Sequence, residues 1–139
     1  MKTIEEIINK ESYERLNGAL VDRVIEIAEK LKEACFKLDL ESCDSFKLAG
    51  ITFQLRRVKS NSGYSQWNLY MYTERDLVAV DEKTSYYFVN DFNCYIKSSN
   101  NTEKLYFLQH AKQIFDEIEQ MFQTNANDIE KAIEETKSL

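Results

Sequence analysis

The sequence predicts an α+β domain spanning 1–139: a long N-terminal helix, an antiparallel sheet of three to five strands, a long C-terminal helix and a short terminal helix. Three observations carry that reading. Residues 51–58 and 66–73 alternate with period two, so each has one face to bury. From Tyr13 to Cys35 the apolar positions recur at intervals of three and four. The same spacing returns from Phe107 to Phe122.

Taken in order, Thr3 with Glu6 has the form of a capping box: a hydroxyl that can accept from a backbone amide, and a Glu three residues on. Ser12 offers a second cap. The long helix then carries Leu16, Leu20, Val24, Ile27, Ala28, Leu31 and Cys35 on one stripe. Pairs such as Glu26 and Lys30 place the acid first, worth about 0.2–0.5 kcal/mol each, and describe a solvated face. The polar stretch 39–45 reads as a connection; its acids lack the Gly and Glu spacing of an EF-hand.

In the central stretch Ile51, Phe53 and Leu55 fall on one side and Thr52, Gln54 and Arg56 on the other. The run 60–63, Ser-Asn-Ser-Gly, supplies residues that tolerate positive φ and reads as a turn. Trp67, Leu69 and Met71 then oppose Asn68, Tyr70 and Tyr72. Shorter strands follow at 77–80, 86–89 and 94–96, with 81–84 as a polar turn and 90–91 as a bulge or turn. The helices are expected to cover the face of Ile51, Phe53, Leu55, Trp67, Leu69 and Met71. The opposite face is expected to be open, polar and aromatic.

After the sheet, Asn100 with Glu103 forms another capping box. The helix it starts is expected to break at 123–127. Asn127 would then cap a last short helix, with Ile129, Ala132 and Ile133 inward. Such a helix is marginal alone, so it docks or frays.

Composition narrows the function classes. With 43% apolar residues and no proline, the chain can bury a core. No run of apolar residues is long enough to span a membrane. Glu5 and Glu6 stand where a signal peptide would be apolar, so a cytoplasmic protein without membrane contact is expected. Cys35, Cys43 and Cys94 show no C-x-x-C spacing and read as free, buried thiols. A net charge of −6 disfavours general nucleic-acid binding and suits a partner with a basic surface.

Catalytic chemistry is hard to place. His110 is the single histidine and fits a helix-boundary position. Gly18, Gly50 and Gly63 are too scattered for a phosphate loop. Asp81, Glu82 and Lys83 have the residue types of a nuclease site, but no partner acid is evident and charged turns are common. No catalytic residue, metal ligand or cofactor is assigned, and the protein is read as a non-enzyme.

Two binding surfaces are expected instead. Asp116, Glu117 and Glu119 would form an acidic helix face that a basic protein surface recognises. Alternatively, Tyr70, Tyr72 and Tyr86 with Arg56 would form a platform for a nucleotide or short oligonucleotide. Rings stack on bases there, and the guanidinium grips phosphate. The same aromatic strands could close a homo-oligomer.

Residues 90–118 include Asn-Asp-Phe-Asn, Ser-Ser-Asn-Asn-Thr-Glu-Lys-Leu and Phe-Leu-Gln-His-Ala-Lys-Gln-Ile. In style this segment resembles small phage or mobile-element proteins. The resemblance implies an anti-CRISPR-like inhibitor that occupies the surface of a host nucleic-acid-processing effector and performs no chemistry.

Overall fold

The computed structural model describes residues 1, 3–8, 11–59, 65–74, 76–82, 86–89 and 94–139. The expected turns at 60–63 and 90–91 lie outside them. A short helix α1 (Ile4–Ile8) precedes the long helix α2 (Glu11–Lys37). Thr3 Oγ1 accepts the Glu6 amide at 3.2 Å, as the cap pattern predicts. A 3-10 turn at Leu40–Ser42 leads into strands β1 (Phe46–Leu48), β2 (Ile51–Lys59), β3 (Ser65–Tyr72) and β4 (Leu77–Ala79). These pair antiparallel in the order β1-β2-β3-β4. Strands β5 (Tyr86–Val89) and β6 (Cys94–Lys97) form a separate antiparallel pair. A parallel bridge between Ala79 and Ser98 ties this pair's exit to β4.

Helix α3 (Asn101–Thr136) closes the chain. Its capping box is complete: Asn100 Oδ1 accepts from the Glu103 amide at 2.8 Å, and Glu103 Oε1 accepts from the Asn100 amide at 2.9 Å. The expected break at 123–127 is absent, and the terminal helix is the continuation of α3. Gln, Thr, Asn and Ala at these positions weaken a helix only by tenths of a kcal/mol each, and neither Gly nor Pro is there to stop it. Gln123 Nε2 donates to Asn127 Oδ1 at 3.0 Å, one turn on, inside the stretch expected to be a loop.

Helices α2 and α3 run in the same direction. Asn101, the first residue of α3, bonds Asn17 side chain to side chain at 3.0 Å. Tyr13 and Leu16, before Asn17, are exposed, whereas Val24, Ala28, Leu31 and Cys35, after it, are fully buried. Only a parallel α3 can lie beside that buried stripe. Starting level with Asn17, it draws level with Lys37 at Met121, which is the last residue of α3 that is even partly buried.

The core lies between this helix pair and the sheet. Phe107, Ile114 and Ile118 meet α2 and the inner face of β1–β4, where Leu48, Ile51, Phe53, Leu55, Leu69 and Met71 are all buried. Each such side chain contributes about 1.5–3 kcal/mol by leaving water. The rings of Phe53 and Phe107 meet edge to face at 6.2 Å, and those of Phe36 and Trp67 at 5.3 Å. The helix-covered face is therefore the one the alternation predicts.

Candidate functional site

The second face of the sheet is not open. Tyr70, Asn68, Gln54 and Ala79 are all buried on it. Register explains the grouping: Tyr70 sits on an inner strand with Gln54 of β2 on one side and Ala79 of β4 on the other. A tyrosine ring gains from burial wherever neighbours close over it. Strand alternation sorts residues into faces and carries no information about what lies above each face. Tyr72, two residues on and at the strand end, is 42% exposed, and its hydroxyl accepts from Gln54 Nε2 at 2.7 Å. Arg56, half-buried, donates to the Asp44 carbonyl at 3.3 Å and faces its carboxylate at 3.9 Å. The Tyr86 side chain lies outside the described residues. The expected platform of Tyr70, Tyr72 and Arg56 is thus interrupted at its middle member, whose ring no base can reach.

Helix α3 separates the three acids expected to act together. Asp116 and Glu119 are exposed. Glu117 is half-buried, and its Oε2 accepts from the Ala49 amide at 2.7 Å. Ala49 and Gly50 carry φ of 55° and 74° in the β1–β2 turn. A left-handed alanine costs on the order of 1 kcal/mol, so the Glu117 hydrogen bond holds a strained turn against α3. Glu117 is engaged as a structural tie within the molecule. The reason is helical geometry: one residue beyond Asp116 points about 100° away, toward β1.

Asp116 and Glu119 have other companions. Asp116, Glu119, Glu130 and Glu134 fall within about 60° of one another around the helix, opposite Ile114 and Ile118. All four are exposed. They form a ridge on the order of 27 Å long, with Gln123 within it and Lys112 and Lys137 near its ends. Glu134 pairs with Lys137 at 2.9 Å, so charge is partly balanced at that end. Continuity of α3 past residue 127 makes the ridge possible; a break there would have divided it.

A third arrangement escaped sequence reasoning. Lys32 Nζ lies 2.7 Å from both Asp81 Oδ2 and Glu29 Oε1 and donates to the Trp67 carbonyl at 3.0 Å. The Asp81 side chain is only 1% exposed. Its other oxygen accepts from the Leu69 amide at 3.2 Å and faces Asn68 Nδ2 at 3.4 Å. Asn68 and Gln66 both donate to Glu82 Oε1, at 2.6 and 2.8 Å. Burial pushes the Asp81 carboxyl above its ordinary range. Burial also pulls on Lys32, but the carboxylates of Asp81 and Glu29 outweigh it and hold the ammonium above its usual value. The cluster opens on a groove of about 950 Å³ between α2 and the β3–β4 edge, with Trp67 and Phe36 in its wall.

All three donors of Lys32 are engaged, so this ammonium acts as a clamp from α2 to the sheet and not as a nucleophile. The signal that could have found it is Lys32 itself, one residue from Leu31 on the buried stripe, where a lysine needs a partner. Among the described residues, no group of three His, Cys, Asp or Glu side chains could hold a metal ion. His110 lies against Tyr106 at the helix surface, with 4.3 Å between ring centres and the planes tilted by 46°, and its Nδ1 is 2.8 Å from the Tyr106 carbonyl. No described helix is long and apolar enough to cross a membrane. Compared with protein-family models, curated proteins and solved structures, the chain matches none.

Proposed function

We propose that the protein is a non-catalytic binding protein that docks the acidic ridge of α3 on a basic surface of another protein. The observation that carries this reading is the row of Asp116, Glu119, Glu130 and Glu134, exposed on one side of a continuous helix. Rigid spacing matters, because charges held at fixed intervals meet a patterned basic surface with little ordering cost. Basic channels of nucleic-acid-processing proteins have that character. With the phage-like style of residues 90–118, this supports an inhibitor that occupies such a channel in a host effector, inside the cell. Burial of Tyr70 leaves the nucleotide reading without its platform.

The test is affinity capture from bacterial lysate with the wild-type chain and with Asp116→Lys/Glu119→Lys/Glu130→Lys/Glu134→Lys. A basic protein should be retained by the wild type at 0.15 M salt and released at about 0.5 M, where screening shortens to a few ångströms. The variant should retain none of it. Equal capture by both chains would refute the ridge.

A further inference from the structure

The parallel helix pair leaves one bare end on each helix, at opposite poles of the molecule. Beyond Met121, every residue of α3 is exposed, including Phe122, Ile129 at 60% and Ile133 at 56%. Before Asn17, Leu16, Tyr13, Ile8 and Ile4 are exposed to between 59 and 69%. Neither set is a scatter of surface apolar residues. Phe122 and Ile129 continue, at intervals of seven, the line of Leu108 and Phe115, which pack on the core. Leu16 and Tyr13 continue the line of Val24 and Leu20 on α2 at intervals of four and three.

The two bare stripes are therefore extensions of the two surfaces that already mate within the molecule. The α3 arm projects where α2 has ended, and the α1–α2 arm projects where α3 has not begun. Within one chain they cannot meet, since they lie at opposite poles. We infer that they meet between copies: the α3 arm of one molecule lies along the α1–α2 arm of the next and continues the α2–α3 contact across the junction. The α3 arm is about 22 Å of helix. The α1–α2 arm, from Ile4 to Leu16, is of similar length along the sequence.

This contact is head-to-tail, so each molecule keeps one free arm and copies add until a ring closes or a filament grows. The α3 arm carries Asp128, Glu130, Glu134 and Glu135 against Lys131 and Lys137, and the sequence of the α1–α2 arm is close to balanced, with Glu5, Glu6, Glu11 and Glu14 against Lys2, Lys10 and Arg15. Apolar contact carries the association, so it persists at high salt. The acidic ridge lies about 100° around α3 from the apolar stripe, so partner binding and self-association use neighbouring but distinct faces. Salt weakens the first and leaves the second in place.

The experiment is sedimentation velocity on the full chain from 2 to 200 µM, in 0.05 and 0.5 M salt. Two variants accompany it, Ile129→Glu/Ile133→Glu and Tyr13→Glu/Leu16→Glu, each first matched to wild type in helical circular dichroism. Wild type should grow beyond a dimer with concentration at both salt concentrations. Each variant alone should stay monomeric. An equimolar mixture of the two should stop at a dimer, because the pair retains one intact arm of each kind. A monomeric wild type throughout, assembly that survives either variant, or a mixture that stays monomeric would each overturn the inference. None of these results bears on capture of a basic protein by the ridge.

Discussion

The segment of α2 from Val24 to Cys35 and the segment of α3 beyond Met121 have similar local patterns and opposite surroundings. Both are helical, and both place apolar side chains at intervals of three, four or seven. In the first, Val24, Ala28, Leu31 and Cys35 are fully buried and Ile27 partly so; in the second, Ile129 and Ile133 are more than half exposed. The difference teaches that periodicity specifies a helix and its apolar side, while a mate for that side depends on how far the neighbouring helix reaches. Here α2 ends at Lys37, and α3 continues for roughly four further turns.

The sharpest way to test that contrast is truncation on each segment. Leu31→Ala and Ile114→Ala should each cost about 2–5 kcal/mol, because each leaves a cavity in a packed interior. Ile129→Ala and Ile133→Ala, measured by urea unfolding in dilute protein, should each cost less than about 0.5 kcal/mol. Equal losses would mean that the arm is packed in solution.

A second contrast separates the two kinds of ion pair. Lys32→Met leaves the Asp81 carboxylate buried without its cation and should cost about 3–5 kcal/mol. Adding Asp81→Leu should recover much of that loss. Removing Lys30, which reaches Glu26 at 3.5 Å on the surface of the same helix, should cost less than about 0.5 kcal/mol. If the two lysines prove equivalent, the clamp between α2 and the sheet is not closed in solution.

Neighbouring acids on α3 offer a smaller contrast. Glu117→Ala should cost about 1–2 kcal/mol by orphaning the Ala49 amide, whereas Asp116→Ala should be neutral within about 0.5 kcal/mol. Thermal unfolding of the pair of variants decides it.

The smallest effect concerns the thiols. Contrary to the expectation that the thiols are buried, Cys43 is exposed in the connection after the 3-10 turn and should be alkylated in the folded protein; Cys35 is buried and should react only after unfolding, as peptide mapping would show. Burial, with Glu41 nearby, pushes the Cys35 thiol up to about 12 from an ordinary 9.0. Between those values the unfolded chain binds fewer protons than the folded one, so stability falls as pH rises from 9 toward 12. Cys35→Ala should flatten that part of the pH profile.

Much of the fold could be read from the sequence. The alternation at Ile51, Phe53 and Leu55 identified the helix-covered face, and Asn100 with Glu103 located the start of α3. Strand β1 escaped because three residues are too few for a period to register. The break expected at 123–127 is absent because the polar residues there are no stop signal: none of them forbids a helix. Of the candidate site, Asp116 and Glu119 are legible in the sequence, whereas Glu130 and Glu134 join them only because α3 runs on through 123–127. Lys32 and Asp81 could not be paired from the sequence, since their contact joins residues far apart along the chain.

The sequence by itself determined where helices and strands form and which side of each is apolar, because those are short-range consequences of side-chain spacing and capping. Tertiary structure decided three other matters: that Tyr70 is enclosed, that Glu117 turns inward to hold the Ala49–Gly50 turn, and that the helix ends at the two poles are bare. Each depends on which distant segment lies opposite. Apolar and polar side chains both satisfy themselves against whatever neighbour the topology supplies, and local spacing does not encode that neighbour.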